Sequence, residues 1–188
     1  MDKILYINSC VREESRTNYL AKYLLSKLKG NITEIKLNDE IKPLDSVGIK
    51  KRDELLRKED YNNHFFDLAN QFKDADIVVI SAPYWDLSFP SLLKIYFENV
   101  NSFGITFDYD EEGKAYTLCK IKKMYYVTTA GGYIIDDVYG YGYIKQLFES
   151  FFGVNDFKYI KAEGLDIFDS NVDKILAKAK KEIDKLGE

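Results

Sequence analysis

A short stretch near the start of the chain, INSCVREESRT at 7–17, concentrates hydroxyl, thiol and guanidinium groups. It places Ser9 after an apolar run, and Ser15 and Thr17 at the start of a helix-like segment. Hydroxyl groups and the free N–H groups of a helix start, reinforced by the helix dipole, suit a phosphate dianion. Arg12 or Arg16 could add positive charge. The stretch is suited to phosphate binding, and an ordinary N-cap at Ser15 with a solvated charged loop explains it equally well.

The same stretch permits a second chemistry, because five residues separate Cys10 from Arg16. That spacing resembles the loop of low-molecular-weight tyrosine phosphatases and arsenate reductases, in which the thiolate attacks phosphorus and the arginine binds its oxygens. A thiolate near a helix N-terminus is physically reasonable. The intervening Val-Arg-Glu-Glu-Ser contains no glycine, however, and its two carboxylates would repel a phosphate. Nucleophilic use of Cys10 is therefore the less favoured alternative.

Two further loops contain residues suited to a flat ligand. Tyr84 and Trp85 follow the apolar run DIVVISAP at 76–83, and exposed aromatic rings there could cover a planar ring system. They could equally fold back on the core or on a partner subunit. In VTTAGGY at 127–133, the pair Gly131-Gly132 lets the backbone approach a ligand closely, with Thr128 and Thr129 as hydroxyl donors. A simple glycine turn would explain that loop as well.

The elements that must position these loops alternate between strand-like and helix-like patterns along the chain. Strands are predicted at 3–8, 32–37, 76–83, 122–132 and 157–162, with a hairpin at 105–118. Helices are predicted at 16–29, 51–73, 90–103, 140–152 and 170–186. Gly30 is expected to end the first helix, and the second is expected to break near 61–63. Residues 38–50 are predicted to form a loop.

This alternation predicts one α/β domain over residues 1–188. The expected architecture is flavodoxin-like, with a five-stranded, mainly parallel sheet and helices on both faces. Ligands of such sheets bind at the carboxyl ends of the strands. The loops at 9–17, 83–88 and 129–133 all follow predicted strands, so we expect them to form one site.

Composition excludes several other classes of protein. The 188 residues include 31% charged residues with a net charge of −4, which gives no basic surface for nucleic acid. We expect no signal peptide, no membrane span and, with only Cys10 and Cys119, a reducing cytoplasm. His64 is the only histidine and is far from the three loops in sequence, and no metal site is expected.

Together the three loops carry a family resemblance. Segments 9–18, 82–87 and 128–132, with the middle piece LKIYFENVNSFGITFDYDEEGKAYTL, resemble the flavodoxin-like, FMN-dependent NAD(P)H:quinone oxidoreductase and azoreductase family. The resemblance extends to KAEGLD at 161–166. It implies FMN as cofactor, NADH or NADPH as co-substrate, a small aromatic electron acceptor and a homodimer. The implied reaction is ping-pong reduction of quinones, azo compounds or nitroaromatics through flavin N5.

The resemblance also implies roles for individual residues. The FMN phosphate is assigned to Ser9, Ser15, Arg16 and Thr17. The ribityl chain and isoalloxazine are assigned to Pro83, Tyr84, Trp85, Asp86 and Leu87, and the pyrimidine edge to Thr129, Ala130, Gly131 and Gly132. Candidates for an aromatic wall are Phe103, Phe107, Tyr133 and Tyr143. Azoreductases typically have Asn-Phe at the Asp86-Leu87 position and Arg at the Ala130 position. No side chain is implied as catalytic, because the flavin carries the chemistry.

Two functions without turnover remain open at this point. A flavodoxin-type electron carrier or an FMN-binding module would use the same three loops. Flavodoxins are strongly acidic and usually monomeric, whereas this chain is only mildly acidic. Turnover of NAD(P)H by the purified protein separates an enzyme from a carrier.

Overall fold

The computed structural model describes residues 1–38 and 40–187. In chain order its strands are β1 (Lys3–Asn8), β2 (Asn31–Lys36), β3 (Ile77–Ser81), β4 (Phe107–Tyr109), β5 (Ala115–Thr117), β6 (Lys123–Thr129) and β7 (Asp156–Ala162). The main sheet has the order β2-β1-β3-β6-β7, and every neighbouring pair in it is parallel. Numbered among themselves, its strands follow the order 2-1-3-4-5, which confirms the flavodoxin-like prediction. The predicted hairpin is present as the antiparallel pair β4 and β5.

The helices are α1 (Arg16–Leu25), α2 (Ser46–Arg57), α3 (Asp67–Lys73), α4 (Ser91–Val100), α5 (Tyr143–Phe151) and α6 (Val172–Asp184). Helices α1 and α6 cover one face of the sheet, where Leu24 and Ile183 belong to the same buried cluster as Tyr6. Helices α3, α4 and α5 cover the other face, where Phe72, Phe97 and Phe148 belong to a second cluster. The prediction of helices on both faces is therefore confirmed. No helix within the described residues is long and apolar enough to cross a membrane.

Aromatic residues make up 15% of the chain, and six of the buried residues in the second of these clusters are aromatic. The Phe72 ring meets the rings of Phe97, Phe148 and Phe152 edge-on, with centroid separations of 4.7–6.4 Å. Edge-to-face pairs add stabilisation beyond the area that they bury. These rings are core residues, and they hold α3, α4 and α5 against the sheet away from the three loops.

The end of the first helix differs from the prediction. Helix α1 ends at Leu25, and Gly30 does not cap it. A Cβ atom at position 30 would lie 2.6 Å from the Asp2 carbonyl oxygen and 2.7 Å from Ile4 Cδ1. Glycine is needed at position 30 because the chain passes so close to β1 on its way into β2.

The region from 38 to 73 also differs. The predicted loop at 38–50 ends at Asp45, whose Oδ1 accepts a 2.7 Å hydrogen bond from the Gly48 N–H and caps α2. An aspartate N-cap before a weakly apolar first turn explains why hydrophobic periodicity alone missed this start. The predicted break near 61–63 is confirmed, because the chain leaves α2 after Arg57 and resumes as a short helical turn at His64–Phe66, followed by α3.

Candidate functional site

The three loops predicted to form one site line a single cavity of about 380 Å³. It lies at the carboxyl ends of β1, β3 and β6, where the three strands end side by side. Its lining residues are Val11, Arg12, Glu14, Ser15, Arg16, Thr17, Pro83, Tyr84, Trp85, Thr129, Ala130, Gly131, Leu165 and Asp166. Nine of these are residues that the sequence analysis assigned to the site.

The first loop combines a helix cap with unused donors. The Ser15 Oγ accepts a 3.2 Å hydrogen bond from the Asn18 N–H, so Ser15 is a true N-cap. Its hydroxyl hydrogen stays available to a ligand, because capping uses only the oxygen as acceptor. The N–H groups of Arg16 and Thr17, in the first turn, have no partner within the helix. The cap and the anion site are therefore compatible in one loop.

Ser9 is placed differently from the other predicted phosphate residues. It is buried, and both its N–H and its hydroxyl donate to the Ser81 carbonyl oxygen, at 3.0 and 2.8 Å. Ser9 does not line the cavity. Its hydrogen bonds instead join the carboxyl ends of β1 and β3, so Ser9 fixes the start of the first loop without lining the cavity.

Cys10 is buried and does not line the cavity. Its side chain is 2% exposed, and its Sγ lies 3.5 Å from the Ser81 Oγ. Burial raises the pKa of the Cys10 thiol above its ordinary value. A nucleophilic cysteine needs the opposite, an accessible thiolate with a lowered pKa. The environment of Cys10 therefore does not support the phosphatase alternative.

A buried polar network supports the same loop. The Asn8 Oδ1 accepts from the Cys10 N–H at 3.0 Å and from the Ser81 Oγ at 3.2 Å. The Tyr6 hydroxyl lies 2.8 Å from the Ser81 Oγ and donates to the Asn18 Oδ1 at 2.8 Å. Because these groups are bonded to one another on β1, β3 and α1, the network fixes where the first loop begins and ends.

The second loop is a tight turn that presents an aromatic side chain. Trp85 and Ser88 exchange backbone hydrogen bonds of 3.0 and 2.7 Å, and the two residues between them have positive φ, 49° at Asp86 and 67° at Leu87. This is the geometry of a type I′ turn. Asp86 and Leu87 are exposed and do not line the cavity, whereas Trp85 lines it and is 39% exposed.

The third loop is bonded to the loop after β7. The Gly131 carbonyl accepts from the Asp166 N–H at 2.9 Å, and the Gly132 carbonyl accepts from the Gly164 N–H at 2.8 Å. A Cβ atom at position 131 would lie 2.4 Å from the Asp166 Oδ2, so a larger residue there would require the Asp166 side chain to move. Gly132 does not line the cavity.

The two threonines before this loop behave differently from each other. The Thr129 Oγ1 lies 2.6 Å from the Thr17 Oγ1, which joins the third loop to the first. The Thr129 carbonyl accepts from the Tyr84 N–H at 2.9 Å, which joins it to the second. Thr128 is buried away from the cavity, and in the described part of the chain its hydroxyl has no hydrogen-bond partner. Thr129 is therefore the residue to which both other loops are bonded.

Four lining residues had no assigned role from the sequence: Val11, Glu14, Leu165 and Asp166. Leu165 and Asp166 follow β7, the fifth strand of the sheet, within the segment KAEGLD. The carboxyl end of a further parallel strand reaches the same edge of the sheet, and that signal could have found them. Asp166 forms a 2.7 Å ion pair with Arg16.

The predicted aromatic wall is not part of this cavity. Phe107 is buried and packs against Phe151 with ring centroids 4.9 Å apart, while Phe103 and Tyr133 are 46% and 69% exposed. Tyr143 packs against Phe89 at the start of α5. None of the four lines the cavity of this single chain.

Two minor expectations concern metal ligands. His64 lies exposed in the turn before α3, distant in sequence from the three loops. Over residues 1–38 and 40–187, no group of three or more His, Cys, Asp or Glu side chains has the arrangement to hold a metal ion.

Curated relatives resemble this chain along nearly its whole length. The FMN-dependent NADH:quinone oxidoreductase 2 of Clostridium acetobutylicum is 36% identical, over 94% of this chain and 93% of its own. The FMN-dependent NADH:quinone oxidoreductase of Clostridium beijerinckii is 35% identical, over 100% of this chain and 98% of its own.

Solved structures share the architecture at lower identity. An azoreductase from Bacillus anthracis strain Sterne superposes with a TM-score of 0.85 at 23% identity, covering 100% of this chain and 99% of the other. An FMN-dependent NADH-azoreductase from Bacillus anthracis strain Ames Ancestor, in complex with FMN, gives a TM-score of 0.79 at 22% identity and full coverage of both chains. The family model described as flavodoxin-like fold matches residues 2–186. With the 2-1-3-4-5 sheet and loops gathered at its carboxyl edge, the chain belongs to the flavodoxin-like fold family.

Proposed function

We propose that the protein is an FMN-dependent NAD(P)H oxidoreductase that reduces quinones, azo compounds or nitroaromatics. One observation carries the proposal: a single cavity brings together a donor-rich helix start, the aromatic pair Tyr84 and Trp85, and a glycine loop. These three parts match the phosphate, the ring system and the ring edge of a flavin nucleotide. The names of the clostridial relatives, which pair FMN with NADH and quinone, support the same activity.

The residues present fit FMN. The cavity volume of about 380 Å³ falls within the usual range of small-molecule sites. The hydroxyl of Ser15, the hydroxyl pair of Thr17 and Thr129 and the N–H groups at the start of α1 would hold the phosphate. Pro83, Tyr84 and Trp85 would flank the ribityl chain and the ring.

When bound by these residues, FMN would supply the redox chemistry that carries reducing equivalents from NAD(P)H to the acceptor in ping-pong order. The chain's own part is to bind, orient and shield. The Ala130 N–H already donates to the Ala162 carbonyl at 2.9 Å. The N–H groups of Gly131 and Gly132 would donate to the pyrimidine edge and stabilise negative charge there. The partly exposed Trp85 would cover one side of the ring and limit contact with water.

The predicted site residues outside the cavity receive supporting roles in this proposal. Ser9 holds the ends of β1 and β3 together beneath the phosphate loop. Asp86 and Leu87 form the turn that presents Trp85, and Gly132 bonds the glycine loop to the loop after β7. Their substitution should act through loop position rather than through lost ligand contacts.

The cellular setting is proposed on similar grounds. Both cysteines are free thiols, which suits the reducing cytoplasm. The whole chain is proposed to fold as one domain, because the five strands of one main sheet are spread along the sequence from residue 3 to residue 162. NADH is the proposed co-substrate because the relatives' names specify it.

A homodimer is proposed because large aromatic side chains stay exposed in two segments. Phe103, Tyr109 and Tyr116 are 46–47% exposed around the hairpin, and Tyr133 and Tyr139 are 69% and 63% exposed beyond β6. Exposed apolar surface of this kind marks interaction sites. In a dimer these rings could complete an acceptor pocket that one chain leaves open.

The deciding experiment has two readings on the purified protein. A flavin absorption spectrum, with FMN identified after denaturation, tests the cofactor. NADH oxidation that depends on an added benzoquinone or azo dye tests the enzyme. FMN binding without acceptor-dependent turnover would instead indicate an electron carrier or binding module. Failure to bind FMN, even when the protein is incubated with it, would overturn the proposal.

A further inference from the structure

Two side chains that line the cavity, those of Glu14 and Asp166, have a charge opposite to that expected of an anion site. Asp166 lies at the cavity wall after β7, and its Oδ1 accepts a 2.7 Å ion-pair hydrogen bond from the Arg16 Nη1. The same Nη1 is 3.5 Å from the Leu165 carbonyl oxygen. Arg16 directly follows the N-cap residue Ser15. Its guanidinium is therefore already bonded to a carboxylate at the cavity wall.

The position of this carboxylate is set by the backbone around it. The Asp166 N–H donates to the Gly131 carbonyl at 2.9 Å. The Asp166 Oδ2 lies 2.4 Å from the point that a Cβ at position 131 would occupy. The carboxylate thus rests against the bare glycine, on the loop proposed to meet the flavin.

The charges that line the cavity cancel. Arg12 and Arg16 contribute two positive charges, and Glu14 and Asp166 contribute two negative charges. A phosphate dianion is attracted to arginine and repelled by a carboxylate. To pair with Arg16, the phosphate must compete with Asp166.

We infer that Asp166 is a specificity-determining residue, whose carboxylate competes with the ligand's phosphate for Arg16 and lowers the affinity for the phosphorylated flavin. This inference rests on the proposed function. The ratio of the affinities for FMN and riboflavin should therefore be smaller than the hydrogen-bond donors of the cavity alone would produce. Removal of the negative charge should therefore strengthen FMN binding selectively.

The test uses the flavin-free protein and the substitution Asp166→Asn, which keeps the size of the side chain. The side chains of Arg16 and Asp166 are 43% and 67% exposed, so loss of their ion pair should leave the fold intact. FMN and riboflavin are titrated separately by flavin fluorescence at two salt concentrations. We expect FMN to bind about fivefold more tightly to the variant at low salt, with a smaller gain at high salt. Riboflavin affinity should stay unchanged.

The matched control is Asp169→Asn, which removes the same charge from the same loop but outside the cavity. It should change neither affinity. Unchanged FMN affinity in Asp166→Asn would overturn the inference, and weaker binding would show instead that Asp166 positions Arg16 for the phosphate. Either result leaves the proposed function standing if the parent protein binds FMN. If the parent binds neither flavin, the proposed function and this inference fail together.

Discussion

The hydroxyl oxygens of Thr17 and Thr129 lie 2.6 Å apart, although 112 residues separate them in the chain. Both side chains are buried, one in the first turn of α1 and the other at the end of β6. In such a pair one hydroxyl donates to the other, and the second keeps its own hydrogen for a further acceptor. A ligand in the cavity would receive that hydrogen, so the pair both joins two loops and offers a donor.

Loss of this donor should weaken phosphate binding. Thr17→Val keeps the shape of the side chain but removes the hydroxyl. A hydrogen bond to a charged group contributes about 1.5–3 kcal/mol, so FMN should bind at least about tenfold more weakly. Thr17→Ser, which keeps the hydroxyl, is the matched control. Equal FMN affinity of the valine variant and the parent in a fluorescence titration would remove Thr17 from the site.

Cys10 should be dispensable for the proposed chemistry. Because burial raises the pKa of its thiol, we expect the parent protein to hydrolyse p-nitrophenyl phosphate no faster than a buffer blank. Cys10→Ser should keep NADH-dependent quinone reduction, since Cys10 does not line the cavity. A substantial phosphatase rate that disappears in Cys10→Ser would contradict the flavoprotein proposal.

Asp86 should have little influence on the flavin potential. A carboxylate beside the ring would lower the two-electron potential, and its removal would then raise the potential by about 20 mV for each ~1 kcal/mol of repulsion. The structure places Asp86 exposed in the turn, outside the cavity. A redox titration of Asp86→Asn should therefore overlay that of the parent. A rise of about 20 mV or more would place the carboxylate beside the flavin after all.

The turn that presents Trp85 should be stabilised by a residue suited to positive φ. Leu87 has φ 67°, a conformation that costs an L-residue about 1–2 kcal/mol and that asparagine adopts more readily. Its side chain is 58% exposed, so little burial is lost on substitution. Leu87→Asn should raise Tm by about 2 °C in a thermal melt. Ile135→Asn, at a 93% exposed position without positive φ, is the control and should give no increase.

The sequence was sufficient to predict the features that depend on local pattern. Alternating strand and helix periods predicted the sheet, and with it the meeting of the loops at 9–17, 83–88 and 129–133. Local pattern failed at Gly30, which was predicted to end the first helix. Glycine is needed there because of atoms distant in sequence, the Asp2 carbonyl oxygen and Ile4 Cδ1.

The same limit applies to the individual site residues. Ser9 belongs to the same sequence motif as Ser15. Its hydroxyl, however, donates to the carbonyl of Ser81, 72 residues away, and this contact is not visible in the sequence. Asp166 pairs with Arg16 across 150 residues of sequence. Loop composition could indicate a phosphate site but could not indicate which side chains face it, because that depends on contacts between strands.

The two edges of the sheet constrain how copies of the chain can assemble. Strand β2 forms one edge and carries Glu34 and Lys36, and β7 forms the other and carries Asp156 and Lys158. Charged side chains along an edge strand oppose its pairing with the edge of another sheet. Growth of the sheet from one molecule into the next is therefore disfavoured at both ends. Any stable assembly is expected to form through helices and loops, with the flavin sites left on separate, five-stranded sheets.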